Sequence, residues 1–142
     1  RFEIFLRKRN LKFINDSKAT SFKATQSALS SLQNIYWILG GLPKRGDKLK
    51  LSKSKKNIIK CYLIGKNINF FKHQIKDKLP FSISKNLRNS IFQISKDIKS
   101  NKQQDKSIIL SPAAASFDQF KNFEKRGEEF KKLCRYYVRK FN

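Results

Sequence analysis

The stretch Leu110–Gly127, LSPAAASFDQFKNFEKRG, follows the apolar run Ile108-Ile109-Leu110 and leads into a long helical pattern. Its three alanines, Ala113–Ala115, leave backbone amides uncovered, so a ligand can approach them closely. The amides that open a helix lack partners of their own, and the helix dipole adds partial positive charge there. A strand end, a small-residue loop and a helix N-terminus together form a ready anion-binding site.

Helix capping is a second interpretation of the same stretch. Ser116 and Gln119 have the spacing of a capping box, in which two side chains satisfy backbone amides at the start of a helix. From these residues alone capping is the favoured interpretation, and the anion site is the alternative. The pair Gly40-Gly41 is not a phosphate loop either, because it lacks the GxxxxGK[ST] frame. It is typical of a turn that ends a strand.

Outward from this stretch, apolar runs alternate with helical patterns. Continuous apolar runs suit strands that are covered on both faces of a parallel sheet; they are Ile35–Leu39, Ile58–Ile64 and Ser107–Leu110. Apolar residues at steps of three and four predict helices; these span about Thr20–Leu32, Asn67–Lys76, Lys85–Lys99 with Ser84 as its cap, and Asp118–Lys140. Further strands are predicted at Phe2–Arg7 and Leu11–Ile14, which form a hairpin, and at Pro80–Ile83 on a sheet edge. The patterns predict an α/β fold with a mostly parallel sheet, helices on both faces and an antiparallel N-terminal strand.

The composition predicts a folded domain with a strong positive charge. The chain has 142 residues, 13 of them Phe, and 39% are hydrophobic, which excludes a disordered polycation. The formal net charge of +23 suggests nucleic acid or another polyanion as a partner. The lysines are spread along the whole chain, however, and no zinc spacing, RNP-like motif or basic-region heptad is present. A basic nucleic-acid-binding module is therefore kept as the alternative function.

Several further features bound the function. Cys61 and Cys134 form neither a disulfide framework nor a metal spacing, so both are predicted to be buried in a reducing compartment. His73 is predicted to be a solvated helix residue. No run reaches the length of a membrane span, and no secretory signal is visible. Because a strand pattern starts immediately after Arg1, we expect a fragment of a longer protein.

Polar clusters follow the predicted strands. They are Asp16–Thr20, Gly40-Gly41 with Lys44, and Ser111–Phe123. Open parallel sheets bind ligands beyond the carboxyl ends of their strands, so we expect the clusters to meet at one edge of the sheet. No Ser-His-Asp, Cys-His or paired-carboxylate arrangement accompanies them. The residues alone therefore indicate a basic α/β domain with an anion-binding edge, without indicating a reaction.

Segments in three places carry a resemblance to a known family. SPAAASFDQFKNFEKRGEEF, together with FINDSKAT at Phe13–Thr20 and YWILGG at Tyr36–Gly41 with Lys44, resembles the C-terminal domain of the Mur ligases, most closely the members that add D-glutamate. The blocks have the family's order and span most of the chain. The resemblance implies a Rossmann-like fold and an ATP-dependent ligase, in which the carboxylate of UDP-N-acetylmuramoyl-L-alanine becomes an acyl phosphate that the amine of D-glutamate attacks.

For ATP, the resemblance implies contacts at Arg1, Asp16 and Lys18. Asp16 would accept hydrogen bonds from ribose hydroxyls, and Lys18 would lie near the phosphates and the reacting centre. The family's UDP-sugar domain and central ATPase domain, which holds most of the ATP and Mg²⁺ contacts, have no counterpart in these residues. We therefore expect no metal ligands in this chain and no activity from the fragment alone.

For D-glutamate, the resemblance implies two separate contacts with the two carboxylates. Thr20 and Lys44 would hold the α-carboxylate, and Ser116, with the main chain near Phe117 and Phe123, would hold the side-chain carboxylate. A cytoplasmic monomer without a specific nucleic-acid or membrane partner is expected. A non-catalytic interaction domain that keeps the fold is a further alternative.

Overall fold

A computed structural model describes residues 2–51, 54–101 and 105–141. They form a six-stranded sheet in the order β1-β2-β6-β3-β4-β5, in which only the β1–β2 pair is antiparallel. The strands are β1 (Glu3–Lys8), β2 (Leu11–Asn15), β3 (Ile35–Gly40), β4 (Ile58–Ile64), β5 (Phe81–Lys85) and β6 (Lys106–Leu110). The predicted hairpin, the edge position of β5 and the parallel neighbours β6, β3 and β4 are all confirmed.

The helices cover both faces of the sheet. They are α1 (Phe22–Ser30), α2 (Ile68–Ile75), α3 (Leu87–Asp97) and α4 (Phe123–Tyr137), and short 3₁₀ turns lie at Lys55–Asn57, Ile98–Ser100 and Val138–Lys140. Side chains alternate along β3, so that Trp37 packs into the core beneath α1 and α2, and Ile38 into the core beneath α3 and α4. Burial on both faces explains why β3 is a continuous apolar run.

The predicted starts of α3 and α4 are wrong. α4 begins at Phe123 and not at Asp118, because the side chain of Asn122 accepts the amide of Lys125 at 2.8 Å and so caps the helix. α3 is capped in the same way by Asn86, whereas the predicted cap, Ser84, lies in β5 and hydrogen-bonds Gln93. In both cases an asparagine closer to the apolar stripe supplies the acceptor.

The predicted burial of the two cysteines and the predicted exposure of the histidine are confirmed. Cys61 and Cys134 are buried free thiols, and burial raises the pKa of both. His73 is exposed on α2. Within the described residues, no helix has the length and apolar character needed to cross a membrane.

Candidate functional site

The strand order brings the predicted clusters together. Because β6 lies between β2 and β3, the segments that follow these strands, 16–20, 111–118 and 41–44, are neighbours at the carboxyl edge of the sheet. These segments are called the rim below. The segment after β6 is the middle one, so it contacts both others.

Main-chain hydrogen bonds join the rim segments. On one side, the Asp16 amide donates to the Leu110 carbonyl at 2.8 Å, and the Ala113 amide donates to the Ala19 carbonyl at 3.0 Å. On the other side, Leu42 and Ala115 exchange two hydrogen bonds of 2.9 Å in an isolated antiparallel bridge. The rim is therefore a connected surface of irregular backbone rather than a set of separate loops.

Asp16 is held by its neighbours at the end of β2. Its residue exposure is 7%, and the hydroxyl of Ser111 donates to Oδ2 at 2.8 Å. Burial raises the pKa of Asp16, and the Ser111 hydrogen bond opposes this rise. A carboxylate has about four lone-pair positions, so Asp16 can accept further hydrogen bonds besides that of Ser111. Asp16 also lines a cleft of about 260 Å³ with Phe2 and residues of α1.

Lys18 lies exposed at a second, larger cleft. This cleft has a volume of about 540 Å³, and its lining includes Phe2, Ser17, Lys18 and Phe123. Phe2 is common to the Lys18 and Asp16 clefts, which places the two predicted ATP contacts beside the start of β1. Arg1, the third predicted contact, lies outside the described residues.

Thr20 and Lys44, the predicted contacts for the α-carboxylate, are both exposed on the rim. Thr20 was predicted to begin α1, but this is wrong, because Thr20 lies just before Ser21, the N-cap of the helix. Lys44 belongs to a turn in which the Asp47 amide donates to its carbonyl at 3.0 Å. Both side chains can therefore meet a ligand above the sheet edge.

Ser116 has an environment that the sequence did not predict. It is 2% exposed, and its Oγ is buried without a hydrogen-bond partner. Its carbonyl accepts the amides of Gln119 and Phe120, so Ser116 opens a turn and does not cap α4. Phe117 beside it is 68% exposed. A ligand can reach Ser116 Oγ only if this turn shifts.

The two main-chain positions paired with Ser116 belong to different elements. Phe117 lies in the turn, whereas Phe123 is the first residue of α4. The Ser17 hydroxyl donates to the Phe123 carbonyl at 2.7 Å, which fixes the start of α4 against the segment after β2. The predicted amide contacts with the side-chain carboxylate therefore come from a turn and a helix start that are six residues apart.

Sequence reasoning included Ser17 and Ser111 in the polar clusters without giving them a role, and it missed Arg126; the side chains of all three form hydrogen bonds within the rim. Arg126 is 1% exposed, and its Nε and Nη2 donate to Ser17 Oγ and Ser17 O at 2.8 and 2.6 Å. A signal for Arg126 was available: it lies four residues before Phe130 and seven before Leu133, on the buried stripe of α4. A charged residue in that stripe indicates a specific buried partner.

Among the described residues, no group of histidine, cysteine and carboxylate side chains could hold a metal ion. The predicted lack of metal ligands in the chain stays a prediction. The polar groups of the rim are hydroxyls, two lysines, backbone amides and the carboxylates of Asp16 and Asp118, with the buried Arg126 beside them. The lysines, hydroxyls and amides among them suit anions.

Comparison with known proteins finds relatives of the chain. No protein family profile matches the chain. It is 42% identical over 135 residues to the UDP-N-acetylmuramoylalanine--D-glutamate ligase of Nitrobacter hamburgensis, which covers 95% of this chain and 29% of that protein. It is 42% identical over 130 residues to the ligase of the same name from Rhizobium meliloti, with 92% of this chain and 28% of that protein covered.

A solved structure has the same fold. It is a domain described as that of a UDP-N-acetylmuramate:L-alanyl-gamma-D-glutamyl-medo-diaminopimelate ligase from Haemophilus ducreyi, with a TM-score of 0.52, 16% identity, and 94% of this chain and 99% of that chain covered. The similarity to the two ligases shows that the chain belongs to the Mur ligase family. Within that family it is similar to the ligases that are named for D-glutamate, and it spans less than a third of their length. The nucleic-acid alternative finds no support in these comparisons.

Proposed function

We propose that this chain is the C-terminal, amino-acid-binding domain of an ATP-dependent ligase that joins D-glutamate to UDP-N-acetylmuramoyl-L-alanine in peptidoglycan precursor synthesis. The observation that carries the proposal is the 42% identity to D-glutamate ligases over 95% of the chain. The connected rim of hydroxyls, lysines and amides supports it, because D-glutamate has two carboxylates that need separate contacts.

Lys44 and Thr20 are proposed to bind the α-carboxylate of D-glutamate. Both side chains are exposed at the carboxyl edge of the sheet. Lysine supplies a charge-assisted hydrogen bond, and threonine supplies a neutral hydroxyl. Because neither group is an anion, neither would hold the amine of D-glutamate in its protonated, non-nucleophilic form.

Ser116 and the amides near Phe117 and Phe123 are proposed to bind the side-chain carboxylate. The unpartnered Ser116 Oγ supports this role, since a buried hydroxyl without a partner costs free energy that a ligand would recover. The distance between this site and Lys44 would then select an amino acid with two carboxylates over a shorter or neutral one.

Arg1, Asp16 and Lys18 are proposed to contact ATP, which supplies the phosphoryl group that activates the acceptor carboxylate. The buried Asp16 carboxylate, with Ser111 on one oxygen, fits the hydroxyls of a ribose. Lys18 would hold negative charge near the reacting centre when the domain closes over the rest of the enzyme. We assign the Mg²⁺ ligands to the other domains, and we propose a cytoplasmic monomer that is inactive as the isolated chain.

The test is a pair of lysine variants in the complete ligase. Lys44→Ala removes a charge-assisted contact of about 1.5–3 kcal/mol, so the KM for D-glutamate should rise about tenfold to hundredfold, while the KM for ATP changes little. Lys48→Ala, an exposed lysine of the same loop, is the matched control and should change neither value. Equal effects of the two variants, or a wild-type enzyme that does not use D-glutamate, would contradict the proposal.

A further inference from the structure

Arg126 is a buried cation whose side-chain hydrogen bonds both go to Ser17 in the rim. It is 1% exposed in the second turn of α4, although an arginine in the buried stripe of a helix is costly unless its donors are paired. Burial lowers the pKa of Arg126 to about 10, and the charge of Asp118 opposes this effect, so the side chain is a cation at neutral pH. A hydrophobic residue would fill this position at lower cost if packing were its only role.

One side of the guanidinium holds the segment after β2. Nε donates to Ser17 Oγ at 2.8 Å and Nη2 to Ser17 O at 2.6 Å, so both the side chain and the main chain of Ser17 are held. Ser17 Oγ in turn donates to the Phe123 carbonyl at 2.7 Å. Because Ser17 lies between Asp16 and Lys18, this pair of bonds helps to hold the backbone of these two proposed ATP contacts.

The other side of the guanidinium faces the remaining rim segments. Nη1 is buried without a hydrogen-bond partner. A Cβ atom added to Gly41 would lie 3.4 Å from Nη1, 3.2 Å from Ala114 Cβ and only 2.4 Å from the Ala115 carbonyl oxygen. Nη1 thus lies near the place where the segment after β3 contacts the segment after β6.

We propose that Arg126 is the positioning residue of the rim: it holds the ATP-binding segment through its two hydrogen bonds to Ser17. The inference rests on the proposed function for its substrates, but its geometry does not. Rigid contacts of this kind matter because a displacement of about 1 Å at a reacting centre can lower the rate about a hundredfold.

The experiment compares Arg126→Lys with Arg135→Lys in the complete ligase. Lysine keeps the charge at position 126 but cannot reproduce the planar fork that holds Ser17. Arg135 lies exposed on the same helix and stacks on Phe5, so it is a matched control outside the rim. At a temperature where both variants are folded, Arg126→Lys should lower kcat/KM for D-glutamate about tenfold to hundredfold, and Arg135→Lys should leave it unchanged.

A second readout separates this inference from the proposed function. Hydrogen exchange measured by mass spectrometry on the same proteins should become faster at residues 16–20 in Arg126→Lys, while β4 stays protected. If the wild-type protein does not use D-glutamate, the proposed function is wrong, and the exchange data alone decide the role of Arg126. A lower melting temperature with unchanged kinetics and unchanged exchange in the rim would overturn the inference and make Arg126 a packing residue.

Discussion

Replacing Ser116 by alanine should stabilise the ligand-free protein and weaken its binding of D-glutamate. The Ser116 hydroxyl is buried and has no hydrogen-bond partner, so the ligand-free protein carries an unsatisfied polar group. Such a group costs about 1–3 kcal/mol. Since alanine removes the hydroxyl and leaves the backbone of the turn intact, Ser116→Ala should stabilise the ligand-free protein by about 1 kcal/mol.

The same change should weaken the binding of D-glutamate. A hydrogen bond from a hydroxyl to a carboxylate contributes about 1.5–3 kcal/mol, which corresponds to a tenfold to hundredfold rise in the KM for D-glutamate. The KM for ATP should be nearly unchanged, because the proposed ATP contacts Asp16 and Lys18 lie on a different segment, the one after β2. Steady-state kinetics of the complete ligase give the KM values, and thermal melting without ligand should show a rise of about 3 °C.

Asn122→Ala is the control for the stability measurement. Asn122 is the residue that caps α4, and its loss should destabilise the protein by about 1 kcal/mol. If Ser116→Ala also destabilises the protein and leaves the KM for D-glutamate intact, then Ser116 is a structural residue and the proposed contact with the side-chain carboxylate is wrong. Wild-type melting behaviour combined with a raised KM would refute only the argument from the unpaired hydroxyl.

Two further predictions concern the sheet edge. Gly40→Ala should lower the free energy of unfolding by about 3 kcal/mol or more, because Gly40 has φ of +132° and an added Cβ would lie 2.0 Å from the Ile64 carbonyl oxygen; an unchanged urea midpoint would contradict this. Burial raises the pKa of Asp16 above its ordinary value of 3.8, so the folded state binds more protons at this group than the unfolded state does. The contribution of Asp16 to the free energy of unfolding therefore falls as pH rises from about 4 through the raised pKa. Asp16→Asn should remove that loss, so the variant should gain stability relative to wild type between pH 3 and 7; parallel pH profiles of the urea midpoints would show that Asp16 does not titrate in this way.

Much of the fold could be predicted from residue periodicity. β4 occupies Ile58–Ile64 as predicted, and β3 and β6 differ from the prediction by one residue at one end. These strands are buried on both faces, so each is a continuous apolar run with turn residues beside it. The resemblance in three ordered blocks also indicated the family, and the edge of the sheet where the clusters meet followed from the general behaviour of parallel strands.

The sequence by itself determined which elements form and which clusters follow the strands, because periodicity and turn chemistry are local properties. Only the tertiary structure decided that Ser116 is buried in a turn, that Asn122 caps α4, and that Arg126 reaches Ser17 across 109 positions of the chain. Helix starts are decided by whichever nearby side chain reaches a free amide, and several residues between Ser116 and Asn122 are compatible with that role. The environment of Arg126 depends on contacts between distant segments, and no local pattern specifies what lies beside a side chain once the chain has folded.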